Sequence, residues 1–342
     1  MRAVVLEGNA RLSVREVARP KLDKVRPVLV RIAAAGVCGS DIPRGFEGKA
    51  YHYPLIMGHE LSGVVEEGGQ SFSPGERVVV FPLIPCLKCA SCSVGEFSQC
   101  VDYDFLGSRS DGGFTEFVKV PERNVFRIPE HLDITHAALT EPTAVALHAV
   151  NKLDLPLGAT VAVIGGGPIG LLAAQWLQSK GCEKVYVVDI DGAKLSVAET
   201  LGCIPINARE GDPVEAIRRE TPRVDGAVEA CGLPLTYRQS IEVVSDFGQV
   251  VLMGNMEGDL KMESDLVSSV LRRELVIHGT WGSRITPTGR DEWSVSLAAM
   301  DRTIKIGPIL SHRVTLAETP TMLERMHGRE MSHMRVAVVA GR

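Results

Sequence analysis

No run in the 342 residues approaches the ~18 consecutive apolar positions that a membrane-spanning helix needs. The opening stretch, MRAVVLEGNARLSV, has no apolar core of the kind an export leader carries. Internal repeats and low-complexity segments are missing too. So is an excess of positive charge. With 37 Lys and Arg against 42 Asp and Glu the net charge is −5, and no global field attracts nucleic acid or an anionic membrane. What remains, 45% hydrophobic and 23% charged, is the composition of a soluble globular protein, and the length suits two domains better than one core. There are eight cysteines, four of them between positions 86 and 100, in a chain without an export signal; this points to metal rather than disulfides, and to the cytoplasm.

The most informative stretch is TVAVIGGGPIGLLAAQWLQSKGCEKVYVVDID, residues 160–191. Val161 to Ile164 is an apolar run bounded by glycine and too short for a helix, so it reads as a buried strand. Gly165, Gly167 and Gly170 follow at G-x-G-x-x-G spacing, then a helical pattern over Ile169–Lys180 with Gly181 at its C-cap, then a second strand, Val185–Val188, ending on Asp189. In such a unit the first glycine makes a tight turn and the second lets a diphosphate approach bare backbone. The third lets helix and strand pack closely, and the diphosphate rests on the helix N-terminus. A lone glycine triplet is as readily a plain turn; the strand, helix, strand and acid in register select dinucleotide binding. Asp189 would accept from the adenosine ribose hydroxyls and repel a 2′-phosphate, and no arginine follows it closely, which favours NAD over NADP.

Ahead of this unit, residues 1–35 alternate apolar and polar positions, and LSGVVEEGG, GERVVVFP, GGFTEFVKV and NVFRIP also read as short strands, so the first region is β-rich and barrel-like. Within it, Cys86, Cys89, Cys92 and Cys100 form C-x2-C-x2-C-x7-C in a polar loop. Four thiolates so spaced can close a tetrahedron around Zn²⁺ with no open position, a structural site. Free surface thiols and two disulfides are the alternatives, and both are poor in a reducing compartment. No basic helix or aromatic platform follows, so a nucleic-acid zinc finger is excluded.

A helical stretch over about 134–152 carries Glu141-Pro142 in its middle. After the dinucleotide unit, helices are expected near 193–201, 213–220 and 234–245, and strands at 204–206, 226–229, 249–253 and 275–280. Strands alternating with helices predict a parallel sheet covered on both faces, with ligand at the point where strand order reverses. A helix near 292–304 and strand-like pieces at 309–316 and 335–339 close the chain and are expected to rejoin the first domain. Cys38, His59, Glu60 and Glu141 are further metal-capable residues, although a lone His is as readily a satisfied polar residue and a lone Cys a core residue.

Taken in order, Cys38-Gly39-Ser40-Asp41, Gly58-His59-Glu60, the four-cysteine lobe, Glu141-Pro142 and GGGPIG resemble the zinc-dependent medium-chain dehydrogenase family over essentially the whole chain. The resemblance implies an α/β architecture: a GroES-like β-barrel catalytic domain at residues 1–149 and 283–342, and a Rossmann doubly wound parallel sheet at 150–282. It implies catalytic zinc ligands Cys38, His59 and Glu141, with Glu60 a neighbour able to exchange onto the metal, and a structural zinc on Cys86, Cys89, Cys92 and Cys100. Pro168 and Ile169 would hold the diphosphate through backbone, Asp189 and Lys194 the adenosine ribose, and the backbone near 230–231 and 253–254 would border the cofactor. Cys182, Cys203 and Cys231 match no ligand position and read as core thiols.

The strings CGSDIPR, YHYPLIMGHE, PLIPCLKC and SQCVDYDFLGSRSDGGF are similar to the branch of the family that oxidises polyols, and within it to enzymes of hexitol phosphates such as galactitol 1-phosphate. The implied reaction takes a secondary alcohol to a ketone with hydride transfer to NAD, Ser40 accepting the leaving proton. The alternative is an unphosphorylated polyol or L-threonine as substrate. Pro43 stands where relatives carry a relay histidine, and Arg44 where sorbitol enzymes carry tyrosine. Arg44 could bind a substrate phosphate or pair at the surface with Asp41 or Glu47; Arg109 is a second candidate for the phosphate. The loop GSRITPTGRDEW after Trp281 is expected to overhang the substrate. A homodimer or homotetramer is implied by the resemblance alone.

Overall fold

The computed structural model describes residues 1–285 and 291–340. The chain divides into two compact units, one comprising Met1–Glu141, Arg284–Arg302 and Leu310–Arg342, the other Pro142–Ser283 and Thr303–Ile309. Among the described residues no helix is long and apolar enough to cross a membrane.

The first unit is built from antiparallel strands. Arg2–Gly8 pairs with Arg11–Glu16 and with Leu55–Ile56 in a three-stranded sheet. A seven-stranded sheet is centred on Val28–Val37, ten residues of which only Arg31 is exposed. Such a run, VLVRIAAAGV, can bury both faces because it has almost no polar side chain to place. One edge of this strand pairs with Glu60–Gly68 through two register shifts. The other edge is shared: Phe117–Val120 takes residues 28–31 and Arg335–Val339 takes residues 34–37. The C-terminal strand therefore does complete the first unit, running parallel to Leu310–Thr315. The two sheets bury a common core that includes Leu6, Leu55, Leu61, Phe114 and Val336.

The second unit is a six-stranded parallel sheet in the order Ile204–Asn207, Lys184–Asp189, Thr160–Ile164, Gly226–Glu229, Gln249–Leu252, Val276–Gly279. Numbered along the chain this is 3-2-1-4-5-6, and the order reverses between Thr160–Ile164 and Gly226–Glu229.

Two expectations about boundaries differ from the structure. The helical stretch around Glu141-Pro142 is two helices, Ile134–Ala137 and Thr140–Val150, with Pro142 in the first turn of the second, where its missing N–H costs nothing. Most of that second helix packs with the parallel-sheet unit, as the Trp176 Nε1–H···O=C bond to Thr143 at 2.9 Å shows. The first unit thus ends at Glu141 and not at 149. The segment 303–309 also returns to the second unit, held by paired bonds between the Gln175 amide and the Lys305 backbone at 2.6 and 3.3 Å.

Candidate active site

Three ligand atoms, from Cys38, His59 and Glu60, lie within 4.8 Å of one another. Cys38 follows the end of the central strand Val28–Val37, and Glu60 opens its partner strand, so the pairing of these two strands brings them together. His59 and Glu60 are buried, and both Glu60 oxygens and His59 Nδ1 lack hydrogen-bond partners among the described residues. Buried polar atoms without hydrogen bonds are rare and costly, and the unbonded Glu60 carboxylate beside the Cys38 thiol and the His59 ring marks a place suited to a cation. The donor set of thiolate, imidazole and carboxylate suits Zn²⁺. Burial acts to raise the Cys38 thiol pKa, yet the neighbouring His59 overrides it and holds the thiol down to about 6, the thiolate form a metal takes.

Glu141 is not a member of that trio, but it lies close enough for its charge to act on His59 and for theirs to act on it; its own pKa is pushed up to about 7, by burial first. Burial likewise pushes Glu60 up to about 8, opposed by the Arg335 guanidinium. Arg335 stands 3.2 Å from Glu60 and donates to the Val37 carbonyl at 2.8 Å. Asp41, fully buried, accepts the Cys38 N–H at 3.0 Å and stands 3.7 Å from His59 Nδ1. Ser40 precedes the short helix Asp41–Phe46; it is exposed and its hydroxyl makes no cap bond.

The second cysteine set is also assembled. The Sγ pairs Cys86–Cys92 and Cys89–Cys100 are 4.0 and 3.9 Å apart, and all four are free thiols. A tetrahedron with Zn–S near 2.3 Å places its sulfurs about 3.8 Å apart, whereas a disulfide needs about 2.05 Å. Backbone N–H groups of Val101 and Cys92 hold Cys89 down to about 6, while burial pushes Cys92 up to about 12.

In the second unit the glycine loop joins strand Thr160–Ile164 to helix Pro168–Ser179, with Gly167 at the N-cap and Pro168 at the first helical position. Gly165 has φ +115°, and a Cβ on Gly170 would sit 1.9 Å from the Gly165 carbonyl, so neither tolerates a side chain. A Cβ on Gly167 would meet nothing within 4 Å, which is the open space a diphosphate needs above the helix N-terminus. The Ile169 N–H belongs to the same first turn. Asp189 closes the neighbouring strand; it accepts the Gly166 N–H at 2.8 Å and has the Lys194 ammonium 3.8 Å away.

Comparisons with known proteins give the family of the chain. The Alcohol dehydrogenase GroES-like domain matches residues 25–130, and the Zinc-binding dehydrogenase domain matches residues 168–302. Galactitol 1-phosphate 5-dehydrogenase of Escherichia coli K12 is 35% identical over 320 residues, 92% of each chain. The chain belongs to the zinc-dependent medium-chain dehydrogenases. Sorbitol dehydrogenase of Bacillus subtilis strain 168 is 32% identical over 74% of this chain and 75% of its own. The crystal structure of a zinc-binding dehydrogenase from Sinorhizobium meliloti 1021 bound to NADP has a TM-score of 0.90 at 30% identity, covering 99% of this chain and 98% of that one. This medium-chain dehydrogenase is accordingly a zinc-type alcohol or polyol oxidoreductase that uses a nicotinamide cofactor.

The two arginines expected near the substrate fare differently. Arg44 pairs with Asp41 at 2.7 Å, and the pair is largely buried rather than at the surface as its structural alternative expects. Arg109 is exposed, with its guanidinium over the rings of Tyr51 and Tyr103 at 4.7 and 4.3 Å, and no carboxylate pairs with it among the described residues. Tyr103 packs on Phe105, and Phe105 on His59. Cys203 is buried and Cys182 half-buried, but Cys231 is exposed, its Sγ next to Gly165 in the dinucleotide loop, so it is not a core thiol. The loop after Trp281 falls partly outside the described residues; Trp293 is a core residue, edge-on to Phe81.

Arg335 and Glu229 are functional-region residues that the sequence does not single out, and Asp41, part of the cysteine motif, gains a contact with His59 that its position in sequence does not show. For Arg335 the signal was an arginine opening an otherwise apolar strand, RVAVV.

Proposed function

We propose that this enzyme oxidises a secondary alcohol of a polyol phosphate resembling galactitol 1-phosphate to the ketose, with NAD as the hydride acceptor. The observation that carries the phosphate is Arg109: an exposed guanidinium, unpaired by any described carboxylate, held over the rings of Tyr51 and Tyr103, the second of which packs on Phe105 and through it reaches His59. A planar, permanently charged fork is suited to bidentate phosphate bonds. Support for NAD comes from Asp189, whose carboxylate ends the second strand where ribose hydroxyls would donate to it.

Cys38 and His59 would hold the catalytic zinc together with Glu60 or Glu141, and Cys86, Cys89, Cys92 and Cys100 the structural one. A zinc ion there supplies Lewis acidity that makes an alcohol easier to deprotonate near neutral pH. The chain's own residues do the rest. Ser40, exposed and free of cap bonds, takes up and passes on the alcohol proton. Asp41 fixes the Cys38 backbone and faces His59 Nδ1, orienting both ligands. Gly165, Gly167, Pro168, Ile169 and Gly170 seat the diphosphate, and Asp189 with Lys194 the adenosine ribose.

A second reading, oxidation of an unphosphorylated polyol or of L-threonine, is favoured by the engagement of Arg44 with Asp41, which removes one candidate phosphate ligand. The deciding measurement compares kcat/KM for galactitol 1-phosphate, galactitol, sorbitol and L-threonine. A preference of about a hundredfold or more for the phosphate is expected, equivalent to about 2.7 kcal/mol of discrimination, lost in Arg109→Ala while activity on free polyol persists. Equal turnover of free and phosphorylated substrate would select the second reading. In Asp189→Ala, the kcat/KM ratio for NAD over NADP should fall at least about tenfold, because the repulsion toward a 2′-phosphate goes with the carboxylate. An unchanged ratio would place cofactor choice elsewhere.

A further inference from the structure

Glu229 ends the strand Gly226–Glu229, on the far side of the switch point from the glycine loop, and is completely buried. Its Oε1 accepts three bonds: from the Cys231 N–H at 2.9 Å, the Gly232 N–H at 2.8 Å and the Thr236 hydroxyl at 2.7 Å. Its own carbonyl accepts the N–H groups of Met253 and Gly254 at 2.9 and 3.0 Å. One residue therefore fastens the loop after its own strand to the loop after the next. The fit is backbone against backbone: a Cβ on Gly254 would lie 2.2 Å from the Gly232 nitrogen and 2.5 Å from Glu229 Oε2, and a Cβ on Gly232 would lie 2.1 Å from the Asn255 carbonyl. The Tyr237 hydroxyl closes the arrangement on the Gly254 carbonyl at 2.7 Å. Glu229 Oε2 is buried with no hydrogen-bond partner among the described residues, a cost that an apolar side chain used only for packing would not carry.

A dinucleotide crosses the switch point with one mononucleotide on each half of the sheet. The glycine loop and Asp189 occupy the half that takes the diphosphate and adenosine, so the loops tied by Glu229 face the nicotinamide half. We infer that Glu229 is a positioning residue for the nicotinamide half of the cofactor, acting through the backbone of residues 230–232 and 253–255. This rests on the nicotinamide-cofactor reading of the second unit.

The test uses the zinc-loaded full-length enzyme and separates the two ends of the cofactor. NADH binding is measured by fluorescence titration, and ADP-ribose, which lacks the nicotinamide, by competition against it. In Glu229→Ala the Kd for NADH should rise about tenfold or more while that for ADP-ribose stays within about twofold. Glu229→Gln, which keeps an acceptor for the three donors, should restore NADH binding to within about threefold of the parent. If Glu229→Ala fails to fold, Thr236→Val removes one donor and should weaken NADH selectively by about two- to threefold. Parallel weakening of NADH and ADP-ribose, or no weakening of either, would overturn the assignment and leave Glu229 a packing residue. Failure of the parent enzyme to bind NADH at all would instead overturn the cofactor reading on which the assignment stands.

Discussion

Replacing Cys38 by alanine should abolish turnover while leaving the protein folded and half of its metal in place. The thiolate is one of three ligand atoms gathered within 4.8 Å in the first unit, and the Glu60 carboxylate beside it has no cation near it among the described residues except Arg335. A Lewis-acid centre contributes several kcal/mol of charge stabilisation, so its loss should lower kcat/KM by at least about 10³-fold. Elemental analysis should fall from about two zinc ions per chain to about one, because the four-cysteine set is untouched. NADH affinity should be nearly unchanged, since every residue placed against the cofactor belongs to the second unit. The same zinc count on Glu60→Gln and Glu141→Gln identifies the third ligand: the variant that loses an ion held the metal. Activity within tenfold of the parent in Cys38→Ala, or an unchanged zinc content, would refute this assignment of the catalytic centre.

How much of this was legible beforehand depended on the distance over which residues had to be read. The parallel sheet was readable because each of its strands is a short apolar run and each joint between strand and helix carries its own glycine, proline or acid. Strand Gly226–Glu229 and helix Pro213–Glu220 lie where the pattern put them. Helices Ser264–Arg272 and Thr319–His327 were passed over although Leu266, Val270 and Leu271 keep helical spacing, because serine and threonine dilute the apolar stripe and mimic a loop. The clustering of the four cysteines was readable from spacing alone. The charges around Cys38 were not: Arg335 meets Glu60 across almost the whole chain, only because the C-terminal strand pairs with Val28–Val37, and nothing local in RVAVV names its partner. Arg44 shows the converse. Its partner Asp41 is three residues away, and a surface pair with Asp41 or Glu47 is readable from the sequence, yet the choice of Asp41 and the burial of the pair follow only from the fold. Arg209 makes the same point for the cofactor. No arginine follows Asp189 closely in sequence, but the pairing of Asp189 with Asn207 brings the Arg209 side chain onto the Ile190 carbonyl at 2.8 Å.

The four-cysteine lobe should prove as important to stability as Cys38 is to turnover. Between residues 86 and 101 the apolar side chains face outward: Leu87, Val94 and Val101 are 48%, 73% and 83% exposed. The local structure is one four-residue helix, Ala90–Ser93, and one turn of 3-10 helix, Phe97–Gln99, too short to persist alone. Only Cys92 and Cys100 are buried among the four sulfurs, and Cys100 Sγ also accepts the Cys86 N–H at 3.3 Å. With no core of its own, the segment must take its order from the ion, and a structural zinc contributes folding free energy directly. Cys100→Ser should therefore reduce zinc from about two ions per chain to about one and open the segment to proteolysis. At roughly 2–4 °C per kcal/mol, loss of several kcal/mol should lower Tm by about 10 °C or more. A phosphine reductant should leave the parent unaffected and a chelator should reproduce the variant, because sulfurs 3.9–4.0 Å apart share no S–S bond and stand at the spacing of thiolates around one zinc ion. A variant that kept both ions and its Tm would mean that the lobe is held by its contacts with the rest of the first unit, of which the Arg284–Glu96 ion pair would then be the first to remove.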